Sequence, residues 1–319
     1  MIDRNDVIQA YRLILGREPE SEDVVNRYAN DIQDVASLRE LFIGSIEFRR
    51  EFEARHAPKR MQRGFHGQEM TVELEANEEQ LQALSAKVAA QWKYLGETEP
   101  FWSVITQDHY VMGSIESNKD LFYRSGEQEI QYFESLLKRH KLWLNGEGRC
   151  LELGCGVGRA TGALAKRFRE VVAFDISQPH IQLARQALSD HDNVDFVHLT
   201  ELQQTASFSP IDCFYSKIVL QHNPPPVMAV LLKNIFNSLV PGGVGHFQIP
   251  VYKAGYQFHI DRYLKQENET NMEMHYFPQD SLFELITQAD CRVLELYEDE
   301  STGNLPYALS NTLLIQKRG

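Results

Sequence analysis

At 319 residues, 43% of them hydrophobic, the chain exceeds one average domain and can bury a real core, so one catalytic domain plus an accessory region is expected. A formal charge of −13 argues against a protein that grips a nucleic-acid backbone or an anionic membrane through a broad basic surface, though a local basic patch stays open. Cys150, Cys155, Cys213 and Cys291 form no C-x-x-C pair, which argues against zinc and against a disulfide framework. Met1–Asp6 lacks a basic start followed by an apolar run, and no apolar stretch approaches the roughly 18 residues of a membrane span. A cytoplasmic location without a membrane span is therefore expected.

From Asp6 to Phe52 the apolar residues keep helical spacing: Val7, Tyr11, Ile14 and Leu15, then Val24, Val25 and Tyr28, then Leu38, Leu41 and Phe42, then Phe48 and Phe52. Residues 1–55 read as a helical accessory module. Tyr11–Pro19 together with Phe42–Phe48 resembles a bacterial helical family of unknown function met beside glycan enzymes, except that Val24, Val25 and Tyr28 stand where that family has a glycine and a tryptophan. The resemblance implies docking to glycan-synthesis enzymes; a plain helical cap explains the same residues.

Residues 56–145 read as linker, heptad helix and an aromatic-rich segment ahead of the first strand. Arg55–Met70 is basic and glycine-containing, which suits a solvated linker more than a phosphate site. Leu74, Leu81, Val88 and Leu95 recur every seventh residue with Leu84 between, a stripe that fits a homodimer seam or packing on the catalytic domain. An aromatic-rich segment follows (Trp92, Tyr94, Phe101, Trp102, Tyr110, Phe122, Tyr123), then an amphipathic helix over Ile130–Leu144.

The rest is organised around Arg149–Thr161. Cys150, Leu151 and Leu153 read as a buried strand, Gly154, Gly156 and Gly158 as a tight turn, and Ala160–Phe168 as a helix whose opening N–H groups can meet negative charge. Val171–Phe174 is the next strand, ending on Asp175, about 20 residues past the glycines, where a carboxylate can accept both ribose hydroxyls of a nucleoside cofactor. A dinucleotide fingerprint would need its third glycine at Arg159. Glu152, just before the turn, would crowd a pyrophosphate but suits a cationic amino-acid group.

Glu152-Leu153-Gly154-Cys155-Gly156-x-Gly158 resembles the first motif of class I S-adenosylmethionine-dependent methyltransferases. The resemblance spans about residues 146–319. It implies an α/β fold: a doubly wound, seven-stranded, mostly parallel Rossmann-like sheet with its last strand antiparallel, here behind an N-terminal helical domain. It also implies S-adenosyl-L-methionine as cofactor, with Gly154, Cys155, Gly156 and Gly158 at its methionine end and Glu152 near its amino group. Asp175 would hold the ribose, Ile176 and Glu201-Leu202 would meet the adenine, and the end of residues 56–145 would fold over the cofactor as a lid segment with Tyr123 in contact with it. Many relatives carry an aspartate where this chain has Thr200.

Strands and helices alternate beyond Asp175, as a parallel sheet covered on both faces requires. Ser177 reads as the cap of a helix over Ile181–Leu188, followed by strands at Val194–His198 and Ile211–Tyr215 and a helix over Val227–Leu239. After the turn Pro241-Gly242-Gly243 come a strand over Val244–Ile249, a helix over Ser281–Ala289 and strands at Arg292–Tyr297 and Thr312–Gln316. Asn223-Pro224-Pro225 matches a motif of methyltransferases that act on base nitrogens, but Pro226 cannot stack on a flipped base, and a helix cap followed by prolines explains the same letters.

His222 stands where many small-molecule methyltransferases have a histidine and is a candidate base or a buried hydrogen-bonding residue. The insertion Pro250–Phe277 occupies the acceptor-site position of relatives; His275 and Asp261 are further base candidates within it. Its mixed polar and aromatic residues suit a hydroxylated acceptor such as a sugar. The expected reaction is metal-independent, in-line methyl transfer to an oxygen of a small-molecule or glycan acceptor. The alternatives are a non-catalytic cofactor-binding assembly protein, or an N-methyltransferase using Asn223-Pro224-Pro225.

Overall fold

The computed structural model describes residues 2–45, 47–48, 68–266, 272–302 and 307–319. The chain forms two units, Met1–Gly64 and Phe65–Gly319. The basic cluster around Arg60 lies outside the described residues, as does Phe52.

In the first unit the helices Arg4–Ala10, Glu22–Asp31 and Val35–Ile43 are opened by Asp3, Ser21 and Asp34, whose side chains accept the N–H three residues on. Their apolar faces close around Val7, Tyr11, Val25, Leu38 and Phe42, with the Tyr11 and Phe42 rings edge to face at 4.8 Å. Leu41, expected inside, is half exposed.

The second unit is built on nine strands: β1 Thr71–Val72, β2 Arg149–Leu153, β3 Glu170–Asp175, β4 Val194–His198, β5 Ile211–Ser216, β6 Leu239–Lys253, β7 Gln257–Phe258, β8 Cys291–Asp299 and β9 Ala308–Lys317, counted among the described residues. Seven of them form one sheet in the order β4-β3-β2-β5-β6-β9-β8. All its pairings are parallel except those of β9, which runs antiparallel between β6 and β8. This is the doubly wound, Rossmann-like sheet expected of a class I methyltransferase.

Alternation along the strands makes both faces apolar. Leu151, Leu153, Val172, Phe174, Phe214, Phe247 and Ile249 face the helices Pro225–Ser238 and Gln279–Gln288. Cys150, Val171, Ala173, Cys213 and Tyr215 face Lys119–Arg139, Thr161–Ala165 and Gln178–Ala187. The turn at Pro241–Gly243 is looped out within β6, whose pairing jumps from Ile211↔Leu239 to Cys213↔Val244.

The heptad stripe is used inside the chain. The helix Glu78–Thr98 buries Leu84, Val88 and Leu95, and Leu84 joins the main core, with Leu74 and Leu81 packed against it. Lys87 Nζ donates to the carbonyl of Gln266 at 2.6 Å. Ahead of this helix, β1 pairs in parallel with β7, and Glu73 accepts the N–H of Ile260 at 2.7 Å, so residues 68–73 tie down the insertion that follows β6.

Two helix starts differ from expectation. Ser177 occupies the cap position of Gln178–Ala187, yet its hydroxyl donates to the carbonyl of Trp92 at 2.9 Å. Asn223 lies one residue too early to cap Pro225–Ser238; Pro224 holds that position, and the Asn223 amide donates to Val219 O at 2.9 Å. Among the described residues no helix is long and apolar enough to cross a membrane.

Candidate active site

The carboxyl ends of β2, β3, β4 and β5 surround a cavity, as expected where strand order reverses in a doubly wound sheet. Its floor is the turn after β2. Gly154 and Gly156 have φ of 77° and 54°, which an L side chain adopts only under strain. The Gly154 and Cys155 amides both donate to Phe174 O, at 2.7 and 2.9 Å, folding the turn back over β3.

Gly154 and Gly156 line the cavity. Gly158 does not: a Cβ there would meet Leu188 and Ala184 at 3.0 and 3.3 Å, so this glycine serves close packing of the following helix. Cys155 also points away, buried among the apolar residues of the opposite face.

Asp175 lines the cavity at the end of β3. Its Oδ2 accepts the amide of Gly156 and its Oδ1 the amide of Ser177, both at 2.8 Å. Two backbone donors fix the carboxylate, and each oxygen keeps lone pairs for a hydroxyl. Ile176 lies beside it and Leu199 faces it from the end of β4. The structure does not bring Glu201 or Leu202 to the cavity. Glu201 is exposed at the start of the helical turn Leu202–Ala206, and Leu202 is buried in the core, because the chain turns outward after Leu199.

The cover comes from the segment ahead of β2, through residues other than the one expected. Val88, Trp92, Ser103 and Val104 close the cavity. Tyr123 sits outside its lining, its hydroxyl donating to Val157 O at 3.2 Å. A hydrogen-bond chain holds the cover: with the Ser177 hydroxyl given to Trp92, His180 Nδ1–H donates to Ser177 Oγ at 2.7 Å, and His180 Nε2 meets Ser103 Oγ at 2.9 Å. Burial lowers the pKa of His180, which favours this neutral form.

Charged groups lie beside the turn. Glu152 is buried, accepts the hydroxyl of Thr161 at 2.6 Å and is not part of the cavity lining. Burial pushes its pKa up to about 7. Glu129 takes Arg159 at 2.8 Å, Lys217 at 3.6 Å and the hydroxyl of Tyr215. Burial works to raise its pKa; Arg159 and Lys217 outweigh that and hold it below the usual carboxylate range. Lys217 and Ile218, just past β5, line the cavity, and Ile218 has a φ of 57°, a strained value for a β-branched residue.

The three base candidates are spread out. His222 is buried between the cavity and the insertion: its ring lies 5.1 Å from that of Trp92, and its Nδ1 donates to Glu273 O at 2.8 Å. Gln248 accepts the Ile218 amide and donates to Gln221 Oε1, so the Gln221 amide nitrogen faces a bare His222 Nε2 at 3.3 Å. Burial lowers the pKa of His222 to about 4.

His275 lines a separate groove with Tyr256, Phe258, Tyr263 and Glu273. Its Nε2 donates to Glu273 at 3.2 Å, which leaves Nδ1 to accept the hydroxyl of Tyr256 at 2.8 Å. Asp261 lines neither space; it is exposed and accepts Gln80 Nε2 at 3.3 Å. Trp92, Val104, Leu199 and Lys217 are among the lining residues that sequence reasoning missed. Trp92 and the helical stripe through Val88 were visible signals, whereas nothing local marked Val104.

Comparison with known proteins bears on this arrangement. Residues 150–243 match a methyltransferase domain. That stretch holds the glycine turn, Asp175, Lys217 and His222. Curated relatives include a carboxy-S-adenosyl-L-methionine synthase from Helicobacter pylori, 35% identical over 104 residues covering 32% of this chain and 43% of the relative. Another is a trans-aconitate 2-methyltransferase from Azoarcus sp., 33% identical over 109 residues, 34% of this chain and 41% of the relative. The chain thus spans less than half the length of these two relatives. Among solved structures, the N-methyltransferase NodS of Bradyrhizobium japonicum aligns at 14% identity and a TM-score of 0.49, covering 73% of this chain and 100% of its own.

The cofactor that the methyltransferase domain implies is S-adenosylmethionine. The residues present fit it: a backbone-anchored carboxylate for a ribose, aliphatic Ile176 and Leu199 beside it for a base, and a glycine turn with charged neighbours for an amino-acid end.

Proposed function

We propose that the chain is an S-adenosylmethionine-dependent methyltransferase that modifies an oxygen of a small-molecule or glycan-type acceptor. The observation that carries the cofactor part is the double backbone anchoring of Asp175 at the mouth of the glycine turn. Bound there, the cofactor supplies a methyl group already activated on a sulfonium. The chain's own residues then have to align the acceptor and exclude water. In-line alignment can supply roughly 7–11 kcal/mol. Trp92, Val104 and Val219 provide the apolar walls for this.

The acceptor side is assigned to the groove of the insertion; His222 lies between it and the cavity, with its ring 5.1 Å from that of Trp92 and its Nδ1 on Glu273 O, and the acceptor has to reach past it to the cofactor. Tyr256, Phe258 and Tyr263 offer flat apolar faces, and His275 and Glu273 offer hydrogen bonds, a mixture that suits a hydroxylated ring. We assign the base to His275, whose Nδ1 would exchange the Tyr256 hydroxyl for that of the acceptor while Glu273 holds Nε2–H, and leave His222 as a neutral residue of the layer between groove and cavity. The glycan part of this reading also draws on the resemblance of the N-terminal helices. The Asn223 amide nitrogen is engaged by Val219 O, which gives no support to the base-nitrogen alternative.

Transfer of labelled methyl from S-adenosylmethionine to a panel of sugars, phenols and carboxylic acids tests the proposal. Label in a hydroxylated acceptor supports it; cofactor binding without transfer to any class would favour the assembly-protein alternative.

A further inference from the structure

Resting on the cofactor reading above, we propose that Lys217 binds the carboxylate of the cofactor's amino-acid end. The sheet register places it there. β2 pairs with β3 through Leu153↔Phe174 and with β5 through Glu152↔Tyr215. Continued to the turn, this register sets Gly154 between Asp175 on one side and Lys217 on the other. Two strand spacings, about 10 Å, separate those flanking positions. A nucleoside joined through sulfur to an amino acid carries its ribose hydroxyls and its carboxylate at opposite ends of such a span.

The charge balance leaves Lys217 available. Glu129 is its acid partner, at 3.6 Å, but the same carboxylate is held more closely by Arg159 at 2.8 Å and also takes the hydroxyl of Tyr215. One carboxylate therefore faces two cations. Glu152, which accepts the Thr161 hydroxyl, offsets this only in part near neutral pH, because burial raises its pKa to about 7. Arg159 is absent from the cavity lining, whereas Lys217 is part of it and its side chain is about one-third exposed. An incoming anion at the turn would meet the Lys217 ammonium.

The test compares two ligands that share the nucleoside thioether: S-adenosylhomocysteine, which has the amino-acid end, and 5′-methylthioadenosine, which lacks it. Affinities are measured by calorimetry for the wild type, Lys217→Met and Lys217→Arg, with apo melting curves as the folding control. Lys217→Met is expected to weaken S-adenosylhomocysteine roughly tenfold or more and 5′-methylthioadenosine by less than about twofold, with Lys217→Arg recovering most of the loss. Unchanged S-adenosylhomocysteine affinity, or equal losses for both ligands, overturns the assignment while the cofactor reading stands. A wild type that binds neither ligand overturns both.

Discussion

The carboxylate of Asp175 accepts the amide of Gly156 at 2.8 Å, so the residue that ends β3 also fixes the turn that follows β2. Acid and glycine turn are thus one rigid unit, preorganised before a ligand arrives.

Asp175→Ala should weaken S-adenosylhomocysteine at least about tenfold in calorimetry, because both ribose hydroxyls lose a charged acceptor. Asp175→Asn keeps one oxygen for the turn and should lose less. Unchanged affinity in the alanine variant would remove the ribose assignment.

Gly154→Ala places a side chain at φ 77° and drives its Cβ into Val219 Cγ2. Backbone strain alone is worth about 1–3 kcal/mol. The expected result is a lower urea midpoint at an unchanged m-value, together with weakened cofactor binding. Gly158→Ala should cost stability through strain and the Leu188 contact while sparing the cavity.

His275→Gln should lower the turnover of a hydroxyl acceptor while leaving S-adenosylhomocysteine affinity within about twofold, since His275 lines the groove and not the cavity. An unaltered rate would exclude His275 as the base. His222→Gln should shift affinity and rate together, as expected for a wall residue in contact with Trp92.

The pH dependence of stability should carry the mark of His246. Its ring is stacked on Phe133 at 4.7 Å, both its nitrogens lack partners among the described residues, and burial lowers its pKa to about 3. The unfolded chain takes up this proton near pH 6.5, so the neutral ring's contribution is complete above that pH and is lost progressively as the pH falls toward 3. His246→Phe should therefore flatten the decline between pH 6.5 and the acid limit and raise stability by on the order of 1–3 kcal/mol at neutral pH. Equal acid sensitivity in the two proteins would count against a buried neutral His246.

The parts legible in the sequence were those written in local spacing. Strand alternation, the three glycines and an acid at the end of the next strand are fixed by neighbours a few residues apart, and they specify the sheet, the turn and Asp175. The cover was legible only as a segment: the aromatics from Trp92 to Tyr123 were visible, but which of them faces the cavity depends on how Glu78–Thr98 packs against His180 and His222. Lys217 was hidden for the same reason, since its meaning comes from the pairing of β2 with β5 and from Glu129 on a distant helix. Asp261 shows the reverse: a suitable residue type in a suitable segment, turned outward to Gln80.

A crystal structure with S-adenosylhomocysteine decides whether this cavity holds the donor of a methyl group. The ribose hydroxyls are expected on the Asp175 carboxylate, the adenine between Ile176 and Leu199, and the homocysteine over Gly154 and Gly156. A ligand bound elsewhere on the chain, or a cavity that stays closed at saturating concentration, would contradict this placement.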